Sequence, residues 1–254
     1  MTRHHLDLEF WGVLVSARCE SAATAEHLRH YFRDYEVDAG VPADLDIIFT
    51  GEGLPFSSET QSFIRYAGEP GWREIGAAEP TVLPPLGHPR LRNAFRTVHA
   101  SAAVPPQMHK KALLLTGIST AGKSTILLEL LRRGWGFIAD DTVLVSENNT
   151  LCPFTRPIGI RQATADRSPW LTKYLDKSPA FETPTGITRM VHAKDLGAWV
   201  PESETPWSWT VLLVPSGSFS TIQLGPSTIE MNLDISTHLN LAVEAITDFV
   251  GDEQ

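Results

Sequence analysis

Residues 112–124 read A-L-L-L-T-G-I-S-T-A-G-K-S, and no other stretch restricts the fold as strongly. Ala112 to Thr116 is a continuous apolar run, the pattern of a strand buried on both faces of a parallel sheet. Ser124 to Arg133 reads as a helix, with Ile126, Leu127, Leu130 and Leu131 on one broad face and Gly134 as its stop. Gly136 to Ala139 and Thr142 to Val145 return to strand, interrupted by two acids. Strand, helix and strand with a short return loop predict a right-handed parallel crossover. The eight residues from Gly117 to Ser124 match G-x-x-x-x-G-K-[ST], with Gly117, Gly122, Lys123 and Ser124 at the fixed positions.

That pattern has a mechanism. Glycine at 117 and 122 lets the backbone turn tightly, so the amides of Ser119, Thr120, Ala121 and the residues on to Thr125 can face phosphate oxygens. Lys123 is then expected at the β- and γ-phosphates, the Ser124 hydroxyl on Mg²⁺, and the positive end of the helix behind them. The competing reading is a glycine-rich turn with no ligand, which the buried strand before it and the amphipathic helix after it disfavour.

Asp140 and Asp141 stand at the end of the strand that follows the helix. A phosphate site of this kind needs an acid there to position Mg²⁺, and a second carboxylate can take the proton of an attacking hydroxyl. Neighbouring strand residues point to opposite faces, so both acids reach one site only if the strand bends or ends there. Their titration is expected to be coupled. The alternative is a β-turn capped by one of the two.

Around this centre the pattern is mixed. Leu6–Val15 reads as a strand, Ala22–Phe32 as a helix capped by Ser21, and 45–49 and 62–66 as short strands, with turns near 51–55 and 68–71. Residues 77–90, with Pro80, Pro84, Pro85 and Pro89, mark the best internal boundary, giving an N-terminal mixed α/β region over 1–94 and a second domain over 95–254. Thr97–Val104 is strand-like. Residues 163–206 read as an irregular, partly helical excursion, strands return at 209–214 and 228–233, and a final helix follows Asp234.

Lys and Arg number 21 and Asp and Glu 30, a net charge of −9 that argues against a nucleic-acid partner. No apolar run reaches the roughly 18 residues of a membrane helix, and the N-terminal M-T-R-H-H-L-D-L-E-F carries acids where a secretion signal has its apolar core. Cys19 and Cys152 form no C-x-x-C pair and are expected as buried thiols in a reducing cytoplasm.

T-V-H-A at 97–100, the glycine-rich stretch, and L-L-R-R-G-W-G-F-I-A-D-D-T-V at 130–143 together resemble the catalytic domain of the HPr kinase/phosphorylase family. The resemblance is specific over about 97–145. It implies an α/β fold with a P-loop kinase core of the phosphoenolpyruvate carboxykinase-like type, and ATP- and Mg²⁺-dependent phosphorylation of a serine hydroxyl. By position, Lys123 and Ser124 hold phosphate and metal, Asp140 and Asp141 supply the metal-linked acid and the base, and His99 falls on the family's histidine beside them. A histidine there could orient or partly neutralise the acids; the bland alternative is a hydrogen-bonded strand histidine. Thr125 stands where the family usually has glutamate, and in F-T-R-P-I-G-I-R-Q (154–162) Phe154 replaces a metal-binding glutamate. These departures weigh against the reverse phosphorolysis and against HPr as substrate.

What remains resembles shorter HPr-kinase-like proteins, some of which are tailoring kinases for precursor peptides. Arg156 and Arg161 are candidate cations near the γ-phosphate or an anionic acceptor, against the alternative of ordinary structural arginines. Arg189, Lys194 and Trp170 lie in the excursion with no stronger claim, His4 and His5 read as an exposed strand end, and Trp207 and Trp209 as packing residues. The expected activity is a kinase acting on a serine of a peptide or protein. The rivals are a small-molecule hydroxyl kinase with 163–206 as its substrate lid, and a nucleotide-binding sensor without turnover. A GTPase is disfavoured, because no N-K-x-D stretch follows the loop. Base preference and homo-oligomerisation stay undecided at this level.

Overall fold

The structure, a computed structural model, describes residues 4–51, 55, 60–75, 83–183 and 186–251. Residues 52–54 of the expected turn at 51–55, and 77–82 of the expected proline-rich boundary, lie outside the described residues. The chain forms two compact units, Met1–Phe95 and Arg96–Gln254, each a mixture of helix and sheet.

In the first unit, β1 (His4–Phe10), β2 (Val13–Cys19), α1 (Ala22–Tyr31), β3 (Glu36–Val37), β4 (Leu45–Thr50), β5 (Gln61–Tyr66) and β6 (Arg73–Ile75) build a six-stranded sheet in the order β3-β1-β2-β4-β5-β6. The run expected as one strand over Leu6–Val15 is two. Trp11 and Gly12 both take positive φ, +47° and +79°, so Phe10 pairs with Val13 across a two-residue hairpin turn. A bulky apolar residue in the turn hid it from the hydrophobic pattern. Ser21 caps α1 as expected, accepting a hydrogen bond from the Ala23 amide at 3.2 Å. Ala25, Leu28 and Phe32 bury one helix face. Cys19 is buried, free of any disulfide, and its thiol is pushed up to about 11 by burial, so it stays protonated and inert.

The second unit contains β7 (Phe95–Val98, whose first residue closes the first unit), β8 (Ala100–Val104), β9 (Ala112–Gly117), α2 (Lys123–Arg132), β10 (Gly136–Ala139), β11 (Val143–Ser146) and β12 (Thr150–Cys152). There follow β13 (Ile158–Arg161), α3 (Gln162–Arg167), α4 (Thr172–Leu175), β14 (Ala180–Thr183), β15 (Gly186–Val191), β16 (Thr205–Pro215), β17 (Ser220–Gly225), β18 (Thr228–Leu233) and α5 (Ile235–Gly251). The large sheet is nine-stranded, and β9 lies inside it, antiparallel to β8 and parallel to β16, which in turn is parallel to β18. β10 pairs antiparallel with β8 and therefore runs with β9. The β9–α2–β10 crossover is parallel, as its pattern predicts, but steps over β8.

Three expectations change. Thr97–Val104 is not one strand, because the chain breaks at His99 and sends β7 to β11 and β8 to β9. The 163–206 excursion is more ordered than its polar sequence suggests: β14 and β15 join β13 in a three-stranded antiparallel sheet, and α3 and α4 lie between. α2 buries Leu128 and Glu129 as well as the expected leucines, since it packs on the sheet and on α5, and Ser168 and Trp170 hydrogen-bond Glu129. No described helix is long and apolar enough to cross a membrane.

Leu113, Leu115, Ile126, Leu130, Trp209, Val211, Val243 and Ile246 form one core between the large sheet and the α2–α5 layer. Leu115 is fully buried at its centre. Leu115→Ala is expected to cost about 2–5 kcal/mol, the transfer term plus an unrelaxed cavity, measured by urea unfolding of the second unit.

Candidate active site

The C-terminal ends of β9 and β10 lie on the same edge of the large sheet, one strand apart. From the first springs the glycine-rich loop, from the second the acid pair. Gly117 takes φ +144° against β16, where a Cβ would lie 2.5 Å from the Leu213 carbonyl oxygen. Gly122 begins α2 at φ +96°, and its Cβ would meet the Ile235 side chain at 2.6 Å. Any side chain at either position is blocked by space and by backbone conformation. Having no side chain, Gly122 cannot cap the helix, so the first-turn amides of Lys123, Ser124 and Thr125 are left as the donors a helix start offers to an anion. Ser119 and Thr120 are exposed at the loop tip, Thr120 at φ +70°, while Ala121 is buried.

Lys123 folds back under the loop. Its Nζ donates to the carbonyls of Gly117 and Ile118 at 2.9 and 3.0 Å and lies 3.1 Å from His99 Nε2. Burial lowers its pKa from the ordinary lysine value, and the carboxylates of Asp141 and Asp140 oppose that shift. With Lys123 charged, Nε2 of His99 accepts and Nδ1 carries the proton. That Nδ1–H faces Asp141, 3.0 Å from its carbonyl oxygen and 3.3 Å from its Oδ1. His99 therefore links the lysine to the second acid, at the break between β7 and β8.

The two acids have different surroundings. β10 ends at Ala139, and a tight turn, in which the Thr142 amide donates to the Asp140 carbonyl at 2.7 Å, puts Asp141 at φ +64°. This turn lets adjacent residues serve one site. The Asp141 side chain is 70 % exposed, whereas Asp140 is buried. Burial holds the Asp140 carboxyl above its ordinary value of 3.8, opposed by hydrogen bonds from Ser101 and Ser124 and reinforced by the charge of Asp141. The Ser124 hydroxyl lies 2.8 and 3.0 Å from the two carboxylate oxygens. Ser101, fully buried on β8, donates to Oδ1 from the other side. Sequence reading missed Ser101, because its place depends on the pairing of β8 with β10, where Ala102 faces Ala139.

Arg156 reaches the edge of this group. Its guanidinium lies over the Phe154 ring at 4.6 Å and 3.5 Å from the Asp140 carbonyl. Phe154 is fully buried, so the position holds a packing residue beneath Arg156. Thr125, expected at the phosphate site, is buried with its hydroxyl 3.2 Å from that of Thr164 on α3. Arg161 lines a separate pocket of about 260 Å³ with Asp166, Asp176 and Arg189. Trp170 donates to the buried Glu129 at 2.7 Å, and Trp209 is a core residue while Trp207 is half-exposed.

The sign of the Asp140 shift is testable. The folded chain keeps a proton that the unfolded chain releases from about pH 3.8 upward, so stability falls as pH rises through that window and the folded value above it. Asp140→Asn is expected to raise the thermal midpoint at pH 7, by about 2–4 °C for each kcal/mol relieved. The gain should shrink toward pH 4 in a series of melts. A gain that grows with acidity would contradict the burial account.

No family model matches the chain, and no curated protein matches it. Among solved structures, that of the Hpr(Ser) kinase/phosphatase from Coxiella burnetii is similar at 21 % identity, with 62 % of this chain and 98 % of that chain covered and a TM-score of 0.34.

Proposed function

We propose that this chain is a kinase that moves the γ-phosphoryl group of a nucleoside triphosphate, ATP by the sequence resemblance, to a hydroxyl, with serine of a peptide or protein as the acceptor. The observation that carries the reading is the convergence of Lys123, Ser124, Asp140, His99 and Asp141 at the joint between the glycine-rich loop and the end of β10.

The residues suit a divalent cation beside a phosphate chain. Ser124 Oγ and the Asp140 carboxylate already converge within hydrogen-bond distance, offering hard oxygen donors of the kind Mg²⁺ takes. Bound there, Mg²⁺ would neutralise charge on the phosphate oxygens. Asp140 and Ser124 would form the donor set, with Ser101 holding the Asp140 carboxylate from within β8, and Lys123 and the first-turn amides of α2 would receive the phosphates.

In the transfer itself, a bond forms between the acceptor oxygen and the γ-phosphorus while the bond from that phosphorus to the β–γ bridging oxygen breaks. The acceptor proton goes to the Asp141 carboxylate, which is exposed enough to meet an incoming hydroxyl and is oriented by His99 Nδ1–H. Lys123, released from the loop carbonyls, supplies positive charge to the leaving diphosphate. Positioning and fixed charge do most of the work.

The 254-residue chain with Mg²⁺ and γ-labelled ATP should label serine in a peptide library or a cell extract. Lys123→Ala is expected to lose both donor affinity and labelling. Asp141→Asn should cut transfer by about 10²- to 10⁴-fold, the usual range for a lost general base, while donor affinity stays within a few fold. Full turnover in both variants would place the chemistry elsewhere. Nucleotide binding without label on any acceptor would favour a sensor, and label on small metabolites would move the acceptor class.

A further inference from the structure

In the proposed kinase, Lys123, Ser124 and the acid pair would meet the reacting end of the donor, and none of them would meet its nucleoside end. β10, β9, β16 and β18 all run in one direction, so the loops that follow them open on one edge of the sheet. Open α/β sheets bind ligands at that edge, outside the carboxyl ends of their parallel strands. Across the sheet the order is β10-β8-β9-β16, with β18 on β16. The acid pair after β10 and the loops after β16 and β18 therefore flank the glycine-rich loop on opposite sides. An in-line displacement requires the leaving diphosphate to point away from the attacking hydroxyl and hence away from Asp141. A donor held that way would extend toward the side of the loop on which β16 and β18 end.

What stands there is an aromatic pair with a polar rim. The start of α5 touches the loop directly, since Ile235 fills the space that a Gly122 side chain would need. One turn further along α5, His238 lies with its ring 5.9 Å from that of Phe219, which comes from the loop after β16. Phe219 is half-buried against the core, and the His238 ring is held by the Asp234 amide, which donates to Nδ1 at 3.1 Å. Nδ1 is thus an acceptor, and the ring proton sits on Nε2. Asp234 accepts from the Ser236 amide and hydroxyl, at 2.9 and 2.6 Å.

We propose that the Phe219–His238 pair is the nucleoside subsite of the donor: the base stacks on the Phe219 ring, the His238 ring, tilted by 45° to it, meets the edge of the base, and the Asp234 carboxylate faces the ribose. This rests on the phosphate reading of the 117–124 loop. Stacking on an aromatic face tolerates any base, so the site selects for a nucleoside rather than for one base, and His238 Nε2–H adds a donor to a ring nitrogen or carbonyl.

Calorimetric titration of the full chain with Mg-ADP and with Mg-tripolyphosphate separates the two ends of the ligand. Wild-type protein should bind both, ADP more tightly. Phe219→Ala should weaken ADP about tenfold or more, the usual loss for a base–aromatic stack, and leave tripolyphosphate unchanged. Phe219→Trp should restore ADP binding, and His238→Ala should weaken ADP several-fold with tripolyphosphate unaffected. Unchanged ADP affinity in Phe219→Ala and His238→Ala, or equal losses for both ligands, overturns the subsite and leaves the phosphate reading standing. Wild-type protein that binds neither ligand overturns both.

Discussion

A buried lysine ammonium organises the site. It has three donors and little water to give them to, and they go to the Gly117 carbonyl, the Ile118 carbonyl and His99 Nε2. The first two bonds hold the glycine-rich loop in a curl around its own helix start. The third takes the lone pair of Nε2 and so assigns the His99 proton to Nδ1, which turns it toward Asp141. One cation therefore fixes the shape of the loop, the tautomer of the histidine and the direction from which the second acid is supported. These are the three features a phosphoryl donor and an acceptor hydroxyl would each meet.

The backbone makes this possible at a local cost. Asp141 at φ +64° and Thr120 at φ +70° sit in the left-handed region, which costs a residue with a Cβ about 1–2 kcal/mol. Aspartate tolerates that region better than threonine does. At Gly117 no such tolerance exists, because the carbonyl of Leu213 on the neighbouring strand leaves no room. The core thereby reaches into the site: the packing of β9 against β16 sets where the loop can begin, and α5 sets, through Ile235, where it must end. Strain gathered in one short loop and one turn, inside a rigid sheet-and-helix frame, is the pattern expected where geometry is held for chemistry.

Much of this was legible in the sequence because its causes are local. The apolar run 112–116, the two glycines and the helical spacing of Ile126, Leu127, Leu130 and Leu131 each act within a few residues, and the structure has strand, loop and helix there. What escaped depends on distant partners or on residues that disguise a turn. Trp11 looks like strand and forms a hairpin corner. His99 divides two strands because their partners lie in different parts of the sheet, which no window of sequence contains. β14 and β15 pair with each other and β15 with β13 through short stretches, and the burial along β15 follows no clear alternation. Ser101 sits in a run of small residues, and it meets Asp140 only once β10 is laid against β8. The acid pair is consecutive in the sequence itself, but its division into a buried and an exposed member comes from the turn.

That division also separates the acid pair from the ion pairs of the first unit. In the first unit Asp46 lies between Arg18 and Arg65 at 3.1 and 2.5 Å on the more open sheet face, with its charge matched and partly hydrated. Pairs of that kind contribute little and can be exchanged at small cost. Asp140 is different: it is buried, and the contacts to its carboxylate oxygens come from neutral hydroxyls, which offset part of the desolvation but bring no opposite charge. A fold selected for stability alone would do better with an apolar or amide side chain there. A carboxylate kept dry, facing a hydroxyl at a helix start and in the field of the buried Lys123 ammonium, would be stabilised most by a cation at those oxygens. Burial of that carboxylate thus supports the divalent cation proposed for it.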